Sequence, residues 1–336
     1  MNDSTKMWSR RLAVYKGQNT GRGIFEIAIS FVPFVILWIA MWYALDVGYW
    51  LTLLLSVPTA FMLVRLFAMQ HDCGHGSLFP NKHANDWTGR IIGVLTFTPY
   101  DDWRREHAIH HAASGNLDRR GVGDIDTLTV REYLARGKGG RFTYRLYRNP
   151  AVLFIIGPAW QFLLRQRWPS GDMRSAMPIV STAATNAAIA TAVLLMIWLV
   201  GWKAFVVIQL PVTVLAAMIG VWLFYVQHQF EETLWDEPED WQREHAALHG
   251  SSFYDLPQPL MWLSGNIGIH HVHHISSQIP FHRLPKVLRD FPELKEIGRL
   301  TLWESIKCIP LALWDEEKRE LVSFRQMKRG LATAKI

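Results

Sequence analysis

The chain has 336 residues, of which 50% are hydrophobic, and it carries 16 tryptophans and a formal net charge of +6. This apolar content is high for a soluble domain of this size, so membrane-spanning segments are the first feature to look for. The two cysteines, Cys73 and Cys308, are too few and too far apart for a disulfide framework or a cysteine-based zinc site. Residues 1–23 lack a short apolar core followed by a cleavage site, so we expect no removable signal peptide.

Four segments with at most one charge are long enough to cross a bilayer, which takes about 20 apolar residues in a helix. They form two closely spaced pairs, and the pairing predicts two transmembrane hairpins. The predicted spans are residues 27–45, 49–70, 177–201 and 204–226. The second span contains one charge near its end, Arg65, and we expect its long stem to carry the guanidinium to the aqueous boundary.

Lysine and arginine are distributed unevenly between the two ends of these spans. Five lie in residues 1–26, fifteen in 71–176 and thirteen in 227–336, whereas Lys203 alone falls in a turn on the opposite side. The positive-inside rule therefore predicts that both termini and both long segments are cytoplasmic, and we expect a bacterial inner membrane. All 14 histidines then lie on that side, which favours one shared site. The four spans argue against a nucleic-acid-binding protein.

Two shorter apolar stretches, 91–97 and 151–164, are too short or too interrupted for spans. We expect them to lie in the interface plane or to pack on the cytoplasmic part. A fifth crossing at 151–164 is the alternative, but it would put the histidines near 270 on the wrong side. The expected fold is a single all-α membrane domain over residues 1–336. Its four transmembrane helices carry a cytoplasmic helical cap made of 71–176 and 227–336.

The histidines are concentrated in short clusters. HDCGH at 71–75 places two imidazoles four residues apart, on one face if the helix of the second span continues. WRREHAIHH at 103–111 and HHVHH at 270–274 share the spacing H-x-x-H-H, which gathers three imidazoles on a helical face. His228 follows the fourth span as His71 follows the second; a hydrogen-bonded histidine without a metal is the alternative there. The predicted metal ligands are His71, His75, His107, His110, His111, His228, His270, His273 and His274.

The remaining five histidines are predicted to lie at the surface or around the site without binding metal. They are His83, His245, His249, His271 and His282. Nine ligands are too many for one tetrahedral ion and enough for two ions with four or five nitrogens each. Imidazole binds iron, zinc, copper and nickel, so the ligand type does not select the metal.

A two-metal histidine site bounded by membrane-embedded apolar walls favours O2 chemistry on a lipid. Zinc hydrolysis is disfavoured, because the sequence contains neither H-E-x-x-H nor Gly-x-Ser-x-Gly. Nearby carboxylates are candidates to orient the metal-binding rings, as such rings usually require. These are Asp72, Asp101, Asp102, Glu106, Asp124 and Asp126.

Three motifs closely resemble the three histidine boxes of integral-membrane fatty acid desaturases. They are HDCGHGSLF (71–79), WRREHAIHH (103–111) and GNIGIHHVHHISSQIPFHRLP (265–285). Further matches are GDIDTLTVREY (123–133), QHQFEETLW (227–235) and GSSFYDLP (250–257), so the resemblance covers nearly the whole chain. HDCGH is similar to the acyl-lipid branch that includes omega-6 (delta-12) enzymes rather than to the acyl-CoA delta-9 branch. The first histidine of the third motif argues against the front-end desaturases.

The resemblance implies a non-haem di-iron centre held by the nine predicted ligands, with O2 as co-substrate. It also implies removal of two hydrogens from adjacent CH2 groups of an acyl chain of a membrane lipid, giving a cis double bond and water. An acyl chain has no acidic proton and no leaving group, so acid–base or nucleophilic catalysis could not perform this step. Two electrons would come from a separate donor such as ferredoxin with its reductase.

Aromatic and basic residues near the boxes have further candidate roles. Trp103 and Trp235 are candidates to line the acyl slot, although anchoring at the membrane interface is the alternative for any tryptophan here. An acidic ferredoxin is the candidate partner for a basic run, for which lipid headgroups are the alternative. That run consists of Arg104, Arg105, Arg119 and Arg120.

Two other functions stay open at this stage. A hydroxylase or ketolase of the same di-iron superfamily, acting on fatty acids, alkanes or carotenoids, shares the oxidative chemistry. A membrane metal transporter would need ionisable residues within the spans, which are nearly free of charge. The position of the double bond, the acyl carrier, the electron donor and the oligomeric state do not follow from the sequence.

Overall fold

The computed structural model describes residues 3–170 and 176–333 of the chain. The stretches 1–2, 171–175 and 334–336, which belong to the predicted N-terminal tail and cap, lie outside the described residues. The described part is mostly helical. Its α-helices are α1 (Asp3–Arg11), α2 (Thr20–Val47), α3 (Tyr49–His75), α4 (Lys82–Leu95), α5 (Tyr100–Ala113), α6 (Val130–Ala135), α7 (Lys138–Tyr147), α8 (Gly157–Leu163), α9 (Met177–Val200), α10 (Trp202–His228), α11 (Arg243–His249), α12 (Gln258–Leu263), α13 (His270–Ile275), α14 (Leu284–Asp290), α15 (Leu302–Ser305) and α16 (Phe324–Thr333).

Four helices, α2, α3, α9 and α10, are long and apolar enough to cross a membrane. They form two hairpins, which confirms the predicted membrane architecture. The first hairpin turns at Gly48, where φ is +155°, a value that a residue with a side chain rarely adopts. Each helix that ends in the cap is longer than its predicted span, because α3 continues to His75 and α10 to His228. The continued helices therefore place predicted metal ligands beyond the apolar segments.

Helix α3 lies at the centre of the bundle and packs against both α2 and α10. The core between the hairpins is built from residues of α2, α3 and α10, including Met41, Leu66 and Ile208, which are almost completely buried. Helix α9 is the least buried of the four spans, so most of its apolar surface is left for lipid.

Arg65 does not extend to the aqueous boundary, so that expectation is wrong. Its side chain is only 1% exposed, and its guanidinium forms an ion pair with Glu26 of α2, which is also 1% exposed. Further hydrogen bonds go to the Ser30 hydroxyl (3.1 Å) and to the main-chain carbonyl of Trp262. A buried charge is tolerated when it is paired and hydrogen-bonded. The pair joins both helices of the first hairpin to the end of α12.

The cap contains two small sheets in addition to the predicted helices. The strands are β1 (Leu128–Thr129), β2 (Phe253–Asp255), β3 (Arg299–Thr301), β4 (Leu311–Asp315) and β5 (Glu320–Ser323). Strand β1 pairs in parallel with β4, which pairs antiparallel with β5, and β2 pairs in parallel with β3. Because β1 belongs to the first cap segment and β4 to the second, the three-stranded sheet joins the two segments.

The apolar stretch 151–164 forms a π-helical turn, Val152–Ile156, followed by α8. Helix α8 has seven residues, which is too short to cross a bilayer, and it packs against α10. Ile156 and Trp160 are 60% and 56% exposed. A helix this short, packed against α10, agrees with the prediction that 151–164 is not a fifth span.

Candidate metal centre

The nine predicted ligands lie together at the junction between the bundle and the cap, in two groups. The first histidine group is His71, His75, His107, His111 and His273. The second histidine group is His110, His228, His270 and His274. Within each group one ring nitrogen per residue lies within 4.8 Å of the others. Each group therefore has the spacing to hold one metal ion.

The two H-x-x-H-H motifs are divided between the groups in opposite ways. On α5, the i, i+4 pair His107 and His111 joins the first group, while the residue between them in the motif joins the second. On α13, the i, i+4 pair His270 and His274 joins the second group, and His273 joins the first. The sequence suggested that each trio shares one face, whereas in the structure each trio bridges both groups.

The last turns of α3 and α10 complete the groups. Helix α3 contributes His71 and His75 and ends at Gly76, where φ is +68° and the N–H donates to the carbonyl of Cys73. A left-handed residue of this kind ends a helix cleanly. Helix α10 ends one residue after Gln227, at His228, which belongs to the second group.

Ring nitrogens within each group are separated by about the length of a hydrogen bond. In the first group the Nε2–Nε2 distances are 3.0 Å for His75–His107, 3.1 Å for His107–His111 and 3.2 Å for His111–His273. In the second group they are 3.1 Å for His110–His228, and 3.0 Å for both His228–His270 and His270–His274.

The contact between His110 Nε2 and His228 Nε2 cannot be counted as an ordinary hydrogen bond, because the Nδ1 partners of both rings set their tautomers. His110 Nδ1 bonds to the carboxylate of Asp124, and His228 Nδ1 lies 3.2 Å from the carbonyl oxygen of Gly250. Both partners only accept, so each Nδ1 carries the hydrogen. In the neutral rings, both Nε2 atoms then point lone pairs at each other across 3.1 Å. A cation between them removes this repulsion.

Burial favours the neutral form of five ligands in the cap, and neutral imidazole is the form that binds metals. Burial first, and then the neighbouring imidazoles, hold the pKa values of the cap ligands well below the usual range of histidine. These ligands are His107, His111, His270, His273 and His274. Both ring nitrogens of His71 are buried with no hydrogen-bond partner among the described residues. Such orphaned atoms are rare in folded proteins, and coordination would satisfy one of them.

Of the six carboxylates proposed to orient the ligands, Asp124 bonds directly to a histidine ring. Asp72 lies with one oxygen 3.7 Å from His71 Nδ1, and its other oxygen accepts from the N–H of Phe281 at 2.8 Å. The others have no hydrogen bond to a histidine ring within the described ranges. Three of them bond to other groups: Asp101 to Arg90, Asp102 to Arg105 and Ser170, and Glu106 to Ser170.

The five histidines predicted to stay outside the ligand set lie outside both groups. His271 is fully buried, but its Nε2 bonds to the carbonyl of Leu294 at 2.9 Å, and burial lowers its pKa to about 4. His245 and His249 lie beside each other on α11, with ring centroids 4.5 Å apart. Neighbouring histidines of one motif, such as His270 and His271, therefore have different partners, because their side chains point in different directions.

A large cavity of about 750 Å³ lies beside the histidine groups and extends between α3, α8 and α10. His71, His107 and His270 form part of its wall, and apolar side chains form most of the rest. Trp103 also lines it and stacks on His107, with ring centroids 4.7 Å apart. Trp235 lines a separate, much smaller cavity next to His228. An apolar cavity with a few polar groups is the usual form of a small-molecule site.

Sequence reasoning missed the wall that α10 contributes to this cavity. Thr213, Ala217 and Gly220 all line it, at the spacing i, i+4, i+7 that places small residues on one helix face. Phe224, one turn further, lies with its ring centroid 5.3 Å from that of His110 and 5.2 Å from that of His228. The run of small residues was visible in the sequence, but small residues also occur on helices that merely pack closely in membranes.

The four arginines predicted to dock an electron donor differ in how free their charges are. Arg104 pairs with Asp86 at 2.9 Å, and Arg105 pairs with Asp102 at 3.1 Å. Arg120 pairs with a glutamate, Glu132. Arg119 is exposed and has no carboxylate partner in the described part of the chain. An exposed guanidinium without a partner is the one best suited to meet an acidic surface.

The fold and the site define a helical membrane protein with two histidine groups that can each hold a metal ion beside an apolar cavity. Comparison with known families agrees with this class. The model of the family described as "Fatty acid desaturase" matches residues 47–304. The chain belongs to the fatty acid desaturase family.

Several curated relatives are similar over most of the chain. A protein named fatty acid desaturase from Bacillus subtilis (strain 168) is 42% identical over 323 residues, which are 96% of this chain and 92% of the relative. An sn-1 oleoyl-lipid 12-desaturase from Arthrospira platensis is 26% identical over 72% of this chain and 69% of its own length. An sn-1 acyl-lipid omega-3 desaturase (ferredoxin) from Synechocystis sp. is 28% identical over 65% of this chain and 61% of its own.

Proposed function

We propose that this protein introduces a cis double bond into an acyl chain of a membrane lipid, using O2 and two electrons. The relatives named as acyl-lipid desaturases support the lipid substrate. The observation that carries the metal-dependent part of this proposal is the 3.1 Å approach of the Nε2 atoms of His110 and His228, since each Nδ1 faces an acceptor.

Two iron ions are proposed as the cofactor, one in each histidine group. Nine imidazoles suit two iron ions in number and chemistry, and the orphaned nitrogens of His71 support the same assignment. When bound and reduced, the iron would supply the O2 activation needed to remove hydrogen from an unactivated CH2 group.

The side chains around the ions would then have distinct tasks. Asp124 holds His110 in the tautomer that leaves Nε2 free for a metal. Trp103 stacks on His107 and so restrains the orientation of that ring. These contacts support a rigid ligand shell.

The large cavity is proposed to hold the acyl chain beside the two ions. His71, His107 and His270 lie on its wall, so a chain in the cavity passes close to both histidine groups. The apolar wall excludes water from the reacting carbons. The protein's contribution is therefore placement of one C–C bond next to the ions.

We further propose that the cap is cytoplasmic and that the electrons come from a ferredoxin. The distribution of lysine and arginine supports this orientation. One relative is named as a ferredoxin-dependent enzyme. On this chain Arg119 is the proposed first contact of an acidic donor, since the charges of Arg104, Arg105 and Arg120 are paired with carboxylates.

The proposal is tested by gas chromatography of total fatty acids from bacteria that express the chain together with a ferredoxin and its reductase. We expect a new unsaturated fatty acid, which is lost in the double variant His110→Ala/His273→Ala because each substitution removes a ligand from a different group. Iron content of the purified proteins is measured in parallel. A hydroxylated or keto product, with iron bound, would reject desaturation in favour of a related oxidation.

A further inference from the structure

The large cavity has a rim formed by two exposed tryptophans and one cation. Trp160 and Trp168 both line the cavity and are 56% and 63% exposed. Arg165 lies between them in sequence and is the only lysine or arginine on the cavity wall among the described residues. Exposed tryptophans of membrane proteins concentrate at the level of the lipid headgroups. The rim therefore places a positive charge at that level.

The charge of Arg165 is not neutralised by a carboxylate within the described ranges. Its Nη1 donates one hydrogen bond, to the main-chain carbonyl of Trp168 at 3.0 Å, and its other donors have no partner among the described residues. The carboxylates on the cavity wall are each bonded to another group: Asp102 to Arg105, Glu106 to Ser170 and Asp124 to His110. An anion is the ligand that would complete this rim.

A second polar group on the cavity wall also has no partner among the residues that the structure describes. Gln166 lines the cavity, and its Oε1 is buried without a donor among the described residues. Rotation of the amide by 180° exchanges this oxygen for an N–H donor. Arg165 and Gln166 are adjacent in sequence and both line the cavity. A guanidinium is suited to a phosphate group, because arginine offers a planar fork of donors that matches phosphate oxygens.

We propose that Arg165, with Gln166, binds the phosphate of a phospholipid whose acyl chain enters the large cavity sideways from the bilayer. This inference rests on the proposed function and specifies the carrier of the acyl chain. Coenzyme A thioesters also carry phosphates, but they approach from water. The exposed apolar side chains of Ile156, Trp160 and Trp168 at the opening favour a ligand that already lies in the bilayer.

The test measures binding without turnover. Full-length, iron-loaded protein in detergent micelles is titrated by native mass spectrometry with phosphatidylglycerol, with diacylglycerol of the same acyl chains and with palmitoyl-CoA. We expect Arg165→Gln to weaken phosphatidylglycerol binding about tenfold, since it removes a charge-assisted hydrogen bond. Binding of diacylglycerol should not change. Arg165→Lys keeps the charge but not the planar fork of donors. Its affinity for phosphatidylglycerol should lie between those of the wild type and Arg165→Gln.

The matched control is Arg325→Gln, which removes an exposed arginine of α16, far from the cavity wall in sequence. It should bind all three ligands as the wild type does. Equal phosphatidylglycerol affinity in Arg165→Gln and wild type would overturn the assignment. Tighter wild-type binding of palmitoyl-CoA than of phosphatidylglycerol would overturn the choice of a bilayer lipid. Absence of desaturation in cells would count against the proposed function. It would not affect the binding measurement that tests Arg165.

Discussion

A leucine in place of Gly220 should shorten the part of the cavity that is open to an acyl chain. A Cβ atom built at Gly220 meets no other heavy atom within 4 Å, so a side chain there projects into open space. Because Gly220 also lines the large cavity, this space belongs to the proposed acyl site. Substitution therefore adds volume where the chain would lie, without displacing a neighbour.

The position of Gly220 along α10 sets the size of the effect. It lies eight residues before His228, which corresponds to about 12 Å along the helix axis. An extended chain of single bonds advances about 1.2 Å per bond, so about ten bonds fit between the two levels. Thr213, at the far end of the same wall, lies about 22 Å from the level of His228, or about 18 bonds.

We therefore expect Gly220→Leu to reject chains that extend more than about ten carbons past the histidine groups on this side. The product should change to shorter chains or to a double bond at another position. The fold should survive, because glycine within a helix is about 0.5–1 kcal/mol less favourable than residues with good helix propensity.

The assay is mass spectrometry of fatty acid derivatives that reports chain length and double-bond position in cells expressing each variant. Gly220→Ala, which adds one methyl group at the same place, is the matched control and should give products close to those of the wild type. If Gly220→Leu makes the wild-type products in wild-type proportions, the large cavity is not the acyl site and the reasoning is refuted.

Three other substitutions test the ligand shell and the bundle. Asp124→Asn should weaken metal binding about 10–100-fold by removing the carboxylate that orients a ligand, measured as iron retained on dialysis against a chelator; undiminished retention would contradict this role. His274→Ala should lose about one of two iron ions, whereas His271→Ala, the control at a histidine outside both groups, should keep both. Equal losses of iron in the two variants, measured by metal analysis, would reject the assignment of His274 to the second histidine group. Glu26→Gln should destabilise the protein by about 3–5 kcal/mol, because it leaves a buried guanidinium without its carboxylate, and Glu26→Leu/Arg65→Leu should recover much of that loss in thermal unfolding. Equal stability of the wild type and both variants would show that the pair is dispensable.

The spans were predictable because burial in a bilayer imposes one simple requirement on sequence. A long helix must be apolar throughout, and the segments 49–70 and 204–226 satisfy this requirement without reference to any partner. The ends were less predictable, since α3 and α10 continue into the cap to His75 and His228. Hydrogen bonds along a helix do not stop where hydrophobicity stops.

The pairing of Glu26 with Arg65 shows a limit of reading one segment at a time. Each charge lies at or near the edge of a predicted span, where an isolated long side chain would reach toward water. The two residues are 39 positions apart, and they meet only because α2 and α3 pack against each other. In the protein interior, the ion pair stabilises the two charges that water would otherwise stabilise.

The sequence by itself determined the membrane helices and the nine candidate ligands, and it predicted that all the histidines lie on one side of the membrane. These follow from local features: apolar length, charge distribution and the spacing H-x-x-H-H. Only the tertiary structure decided how the ligands divide into a group of five and a group of four, because each motif contributes to both. It also decided which side chains line the cavity and that Arg165 stands at its rim. Those relations depend on distances between α3, α5, α10 and α13, and residue spacing within one helix contains no information about the position of another.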